Sequence, residues 1–134
     1  MKNILLVEDD EDKRQLFVKA LQEVEYSCNC AYVRNGEQAL CLLDFIVPDF
    51  VFVAYDLPGM DGLKFLSEIK KLDHLRSVLV ILCFNIVDEG LVENAQILGA
   101  VACILKPKKV NALASILQRI LTMHTELRMF FLQL

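Results

Sequence analysis

The sequence predicts an α/β fold: a doubly wound, five-stranded parallel sheet of order 2-1-3-4-5 with helices on both faces. Three observations predict it. Short continuous apolar runs, at residues 4–7, 50–54 and 78–82, read as strands buried on both faces. Between such runs, apolar residues recur at helical spacing, as Leu16, Phe17, Ala20, Leu21 and Val24 do. Strand and helix alternate five times with no compositional break that would mark a linker. Right-handed crossovers then leave few topologies.

The elements follow in order. Residues 4–7 are the first strand, and they run into five consecutive carboxylates, Glu8 to Asp12. The first helix covers residues 13–24. Residues 28–33 are mixed in character and β-compatible. Asn35 is placed to cap a second helix, with Gln38 three residues on and Ala39, Leu40, Leu42 and Leu43 as its buried stripe. The third strand, residues 50–54, breaks into Pro58-Gly59, and Leu63, Phe65, Leu66, Ile69 and Leu72 mark a third helix. After the strand at 78–82, a fourth helix carries Leu91, Val92, Ala95 and Leu98, with Gly99 suited to follow its last turn. A short fifth strand at 102–105 leads to Lys106-Pro107 and a last helix from about Val110.

Composition limits the function classes. The chain has 134 residues, 55% of them apolar and 24% charged, which fits one folded domain rather than a disordered segment. A net charge of −4, with only Lys106, Lys108 and Lys109 clustered, gives no basis for nucleic-acid binding. No apolar run reaches membrane-spanning length and the amino terminus enters a strand directly, so a cytoplasmic protein is expected. The five cysteines, Cys28, Cys30, Cys41, Cys83 and Cys103, make neither a disulfide framework nor a zinc pattern and are expected to behave as small buried apolar side chains.

In a doubly wound sheet the site lies beyond the carboxyl ends of the strands, near the switch between strands one and three. That places Glu8, Asp9, Asp10, Ala54, Asp56, Cys83 and Lys106 on one rim. Glu8 and Asp9 suit Mg²⁺, a hard ion that takes one or two carboxylates and waters. Asp10, Glu11 and Asp12 are better read as a solvated helix start, where acids complement the macrodipole. Lys106 can pair with the acids or with a bound phosphoryl group.

Val7-Glu8-Asp9, Pro48-Asp49, Leu57-Pro58-Gly59-Met60-Asp61-Gly62, Gly99-Ala100 and Lys106-Pro107, in this order, resemble the receiver domains of two-component response regulators, which have a flavodoxin-like fold. The resemblance spans residues 3–121. It implies a receiver domain over residues 1–121, followed at 122–134 by an extension of the last helix or an apolar tail. It also implies Mg²⁺ on Glu8, Asp9 and the backbone carbonyl of Asp56, a phosphate-contacting Lys106, and a cis Lys-Pro bond. The acceptor Asp of the family falls four residues before Pro58, on Ala54. The Ser or Thr that contacts the phosphoryl group falls on Cys83, and the aromatic switch residue on Cys103. Alanine has no nucleophile, and a thiol donates hydrogen bonds weakly. Asp56 is a distant substitute acceptor, because the turn begins at it and the family uses its carbonyl. With one carboxylate gone, Mg²⁺ binding is expected to be weakened.

The expected function is a receiver-type signalling module acting by protein–protein contact, not an enzyme, with a histidine kinase or another signalling protein as partner. Two origins account for Ala54. A receiver that has given up phosphorylation is favoured by Cys83 and Cys103; an engineered Asp→Ala change in an ordinary phospho-accepting regulator is favoured by the retained Glu8, Asp9 and Lys106. An Mg²⁺-dependent phosphoryl-transfer enzyme would need a Thr that the acidic run lacks. Flavodoxin-like cofactor binding would need a phosphate loop where five acids stand. In the tail, Met123, Leu127, Phe130, Phe131 and Leu134 suit either packing on the domain itself or a homodimer surface. His124 reads as a packing or surface residue rather than a phosphorelay histidine.

Overall fold

The computed structural model describes residues 1–86 and 88–122. Five strands, β1 (Lys2–Val7), β2 (Cys28–Val33), β3 (Phe50–Ala54), β4 (Leu79–Phe84) and β5 (Ala102–Leu105), alternate with five helices. These are α1 (Glu11–Gln22), α2 (Gly36–Leu42), α3 (Gly62–Ile69), α4 (Glu89–Ile97) and α5 (Val110–Thr122). All strand pairs are parallel, in the order β2-β1-β3-β4-β5. The expected topology holds. The tail beyond Thr122, with the dimer surface and His124 expected there, lies outside the described residues.

Alternation along the strands divides the core between two faces. Ile4, Leu6, Phe50, Phe52, Ile81 and Ile104 pack with Phe17 of α1 and with Leu113, Ile116 and Leu117 of α5. Phe17 meets Phe52 edge-on, with ring centroids 5.2 Å apart. Leu5, Val7, Val51, Val53, Val80 and Leu82 face α2, α3 and α4 through Ala39, Phe65 and Ala95. β3 is buried along its whole length, the consequence of occupying the centre of a sheet covered on both sides.

Local signals set the ends. Asn35 Oδ1 accepts from Gln38 N at 2.8 Å, and Gln38 Oε1 accepts from Arg34 N at 3.0 Å, so the expected cap of α2 forms. Gly99 adopts φ +99° just past α4, as the end of that helix requires. α1 begins at Glu11, earlier than apolar periodicity indicates, because Asp10 caps it: Oδ1 accepts from Lys13 N at 3.1 Å. α3 stops at Ile69, and Leu72 instead precedes a 3-10 turn at Asp73–Leu75. The expectation of five buried cysteines is corrected. Cys83 and Cys103 are buried, Cys28 and Cys30 half-buried, and Cys41 exposed. Cys41 lies two residues from both Ala39 of α2 and Leu43, which caps that helix, and this turns it away from the face they bury. Leu40 and Leu42 of the same helix are half-buried for a related reason, flanking that face.

The turn after β3 returns tightly on the strand. Gly62 N donates to Tyr55 O at 2.9 Å, and a Cβ on Gly62 would stand 2.6 Å from Ala54 O and 2.7 Å from Leu82 Cδ1. Backbone cannot yield there as a flexible side chain would. Gly62→Ala is expected to lower stability by about 2 kcal/mol through overpacking, read as a reduced urea midpoint at unchanged m-value. An unchanged midpoint would mean that the turn relaxes without cost.

Candidate functional site at the carboxyl end of the sheet

The carboxyl ends of β1, β3, β4 and β5 bring the rim residues together. Glu8 continues from β1, its N–H donating to Val33 O at 3.0 Å, and only 4% of it is exposed. Lys106 follows β5, its N–H donating to Phe84 O at 2.8 Å. Its Nζ donates to Glu8 Oε1 at 2.6 Å, and both side chains are largely buried. The second carboxylate oxygen of Glu8 accepts from Asp10 N at 3.3 Å. Glu8 is thereby neutralised and hydrogen-bonded, the condition on which a carboxylate can stay buried.

The other acids are placed differently. Asp9 is exposed and, among the described residues, makes no side-chain hydrogen bond. The backbone hydrogen bond from Lys13 holds the exposed Asp10 carboxyl below its ordinary pKa, as suits a helix cap. Asp56 is exposed, and its Oδ2 accepts from Asn85 Nδ2 at 3.3 Å. Lys13 Nζ in turn donates to Asn85 Oδ1 at 2.9 Å. Asn85 thus bridges the start of α1 to the end of β3. Nothing in the sequence pattern signals this link, since Asn85 directly follows an apolar strand and its partners are far away along the chain. Glu8, Asp9, Asp56 and Lys106 line one open acidic cleft.

Ala54 and Cys83 are paired in register across β3 and β4, and Tyr55 N donates to Cys83 O at 2.7 Å. Ala54, with only a methyl side chain, is 1% exposed. Burial pushes the Cys83 thiol up to about 12, so at neutral pH it is a protonated, weakly donating group rather than a thiolate. Both residues line a second cavity, of ≈570 Å³, between the sheet, α1 and α5. Cys103 belongs elsewhere. It is 1% exposed among Val7, Val53, Ala95 and Ala100 on the opposite face of the sheet, and burial likewise raises its thiol to about 12. The cis Lys106-Pro107 bond implied by the resemblance is corrected: no peptide among the described residues is cis. With the trans bond Lys106 already reaches both Phe84 and Glu8, and X-Pro bonds favour trans by about 0.5–1 kcal/mol.

The donor set fits Mg²⁺ poorly. Glu8 is engaged by Lys106, Ala54 supplies no oxygen from its side chain, and no cluster of three His, Cys, Asp or Glu suited to a metal occurs among the described residues. Asp9 and the Asp56 carbonyl would hold a hydrated ion only loosely.

The chain matches the response regulator receiver domain family over residues 4–118. It is 29% identical over 119 residues to the chemotaxis protein CheY of Listeria monocytogenes, covering 89% of this chain and 98% of that protein. It is also 29% identical to the regulatory protein AtoC of Escherichia coli, covering 93% of this chain but only 26% of that larger protein. Among solved structures, the phosphorylated cyanobacterial phytochrome response regulator RcpA superposes with a TM-score of 0.83 at 25% identity, covering 92% of this chain and 94% of that one.

The buried ion pair makes a direct prediction. Lys106→Met leaves Glu8 buried and unpaired, and is expected to destabilise the fold by about 3 kcal/mol in urea melts. Adding Glu8→Gln to that variant is expected to restore most of the loss. A single variant as stable as the parent would show that the pair does not anchor this rim.

Proposed function

The chain belongs to the response regulator receiver family, and from that premise we propose that it is a two-component signalling module that is not phosphorylated at Ala54. Receiver domains are signalling modules that act with histidine kinases and phosphotransfer proteins. The observation that carries the narrower reading is the pairing of an inert methyl, Ala54, with an already satisfied Lys106, held at 2.6 Å by Glu8. A lysine that would meet a phosphoryl group has its charge matched without one. Cys83 adds a neutral thiol where a hydroxyl would be needed to hold a phosphoryl oxygen.

Signalling then depends on contact rather than on an acyl phosphate. The side formed by α4, β5 and α5 is the proposed partner surface. Ile97, 81% exposed on α4, gives it an apolar anchor of the kind that partner contacts bury. Mg²⁺, if held at all, would rest on Asp9 and the Asp56 carbonyl with weak affinity, and no step depends on it.

A second reading is an ordinary phospho-accepting regulator with an engineered change at residue 54, favoured by the retained Glu8, Asp9 and Lys106. The two separate in one assay. Incubated with Mg²⁺ and acetyl phosphate, the chain is expected to gain no phosphate by intact mass, and Ala54→Asp is expected to gain little, since Cys83 remains. Efficient phosphorylation of Ala54→Asp would favour the engineered origin. An adduct on the unaltered chain, mapped to Asp56, would overturn both.

A further inference from the structure

The sheet has two edges, and they are finished differently. β5 is covered: Ala102, Cys103 and Ile104 are at most 1% exposed, packed into the cores on the two faces. β2, at the other edge, is half-buried to exposed along its whole length, and among the described residues no strand lies beyond it. Its sequence, Cys28-Asn29-Cys30-Ala31-Tyr32-Val33, holds no charge and no proline, two devices that commonly keep an edge from pairing with another chain.

The ladder with β1 fixes which backbone groups point outward. Lys2 N donates to Ser27 O at 2.9 Å and Glu8 N to Val33 O at 3.0 Å, on a register that sets Lys2 against Cys28 and Val7 against Val33. Successive residues of a strand direct their N–H and C=O groups to opposite sides. Ser27, Asn29, Ala31 and Val33 therefore turn to β1, and Cys28, Cys30 and Tyr32 turn to the open side.

A two-fold axis brings such an edge against itself antiparallel. Centred on Cys30, the pairing sets Cys28 opposite Tyr32 of the second copy and Cys30 opposite itself, three pairs that each exchange both hydrogen bonds. A shift by two residues leaves two such pairs, so this register is the most favourable. Charge at the flanks favours it as well. Going outward from the strand, the first charged residues are Glu25 on one side and Arg34 on the other, both exposed. The pairing brings Glu25 of each copy within one residue of Arg34 of the other, at both ends of the interface. Glu37, the next acid beyond Arg34, lies instead beside Gly59, where an added Cβ would stand 3.3 Å from its Oε1. The acids that follow β1 stand one strand, about 5 Å, further in, and Glu11 is bound by Arg14.

We propose that β2 pairs antiparallel with β2 of a second copy of this chain, joining two five-stranded sheets into one of ten strands. The role is independent of whether Ala54 accepts phosphate, and it leaves α4, β5 and α5 free at the far edge for another partner. One strand edge buries less than the roughly 1,200 Å² of a stable pair, so the dimer is transient, with a dissociation constant on the order of 100 µM.

The test is sedimentation velocity and amide–solvent exchange on the full chain, from about 10 µM to about 1 mM. A reductant is present throughout, so that a disulfide between facing Cys30 residues cannot stand in for strand pairing. Mass is expected to rise with concentration towards that of a dimer, and exchange at Cys28, Cys30 and Tyr32 to slow by about fourfold. Arg34→Glu and Glu25→Arg, each turning two attractive contacts into repulsive ones, are each expected to weaken association by about tenfold. An equal mixture of the two variants is expected to recover it, because every contact then joins unlike charges. A mass that stays monomeric at the highest concentration would overturn the proposal. So would association with protection confined to other elements, or unchanged association in Arg34→Glu. Slow exchange at the three amides at every concentration, without a rise in mass, would overturn it too, by giving the edge to residues 123–134 of the same chain.

Discussion

The contact between Lys106 Nζ and Glu8 Oε1, at 2.6 Å, joins the end of β5 to the end of β1 across the two strands between them. Much else on this rim follows from it. Glu8 stays buried because Lys106 neutralises it, and its second oxygen is then free to accept from Asp10 N as the chain turns into α1. Asp10 caps that helix, and Lys13, one turn in, reaches Asn85 and through it Asp56. Breaking a buried pair by removing one partner commonly costs about 3–5 kcal/mol, so this pair has reason to persist whether or not phosphate ever arrives. Retention of Glu8 and Lys106 therefore has a structural cause that is independent of phosphoryl chemistry.

Most of the fold was legible because each strand carries its own evidence. β2, β3 and β5 occupy the residues that apolar runs and β-compatible character indicate, and the caps at Asn35 and Gly99 lie where side-chain chemistry calls for them. Element starts were less legible. Apolar periodicity registers only the buried face of a helix, so α1 and α4 begin earlier than it indicates, at Glu11 and Glu89, where polar first turns are capped by Asp10 and Asp88. Composition treats the five cysteines alike because it cannot assign a helix face. Cys41 is exposed only because of its phase relative to Ala39 and Leu43.

The candidate site was legible as a set of residues but not as a set of contacts. Spacing from Pro58 locates Ala54 without any coordinates. It cannot indicate that Glu8 and Lys106 consume each other's charge, nor that Asn85 links Lys13 to Asp56, since those partners lie 98, 72 and 29 residues apart. The cavity was invisible for the same reason. Its walls come from four elements, and its floor exists because two short side chains, Ala54 and Cys83, are paired in register on neighbouring strands.

On the proposed reading, this receiver scaffold offers no seat for a phosphoryl group. Beryllofluoride with Mg²⁺, which mimics a phosphoryl group on a carboxylate, tests that claim without requiring a covalent reaction. Amide spectra are expected to stay unchanged at Cys83, Cys103, Lys106 and along α5. Coordinated shifts across β4, β5 and α5, saturating with beryllofluoride, would contradict it.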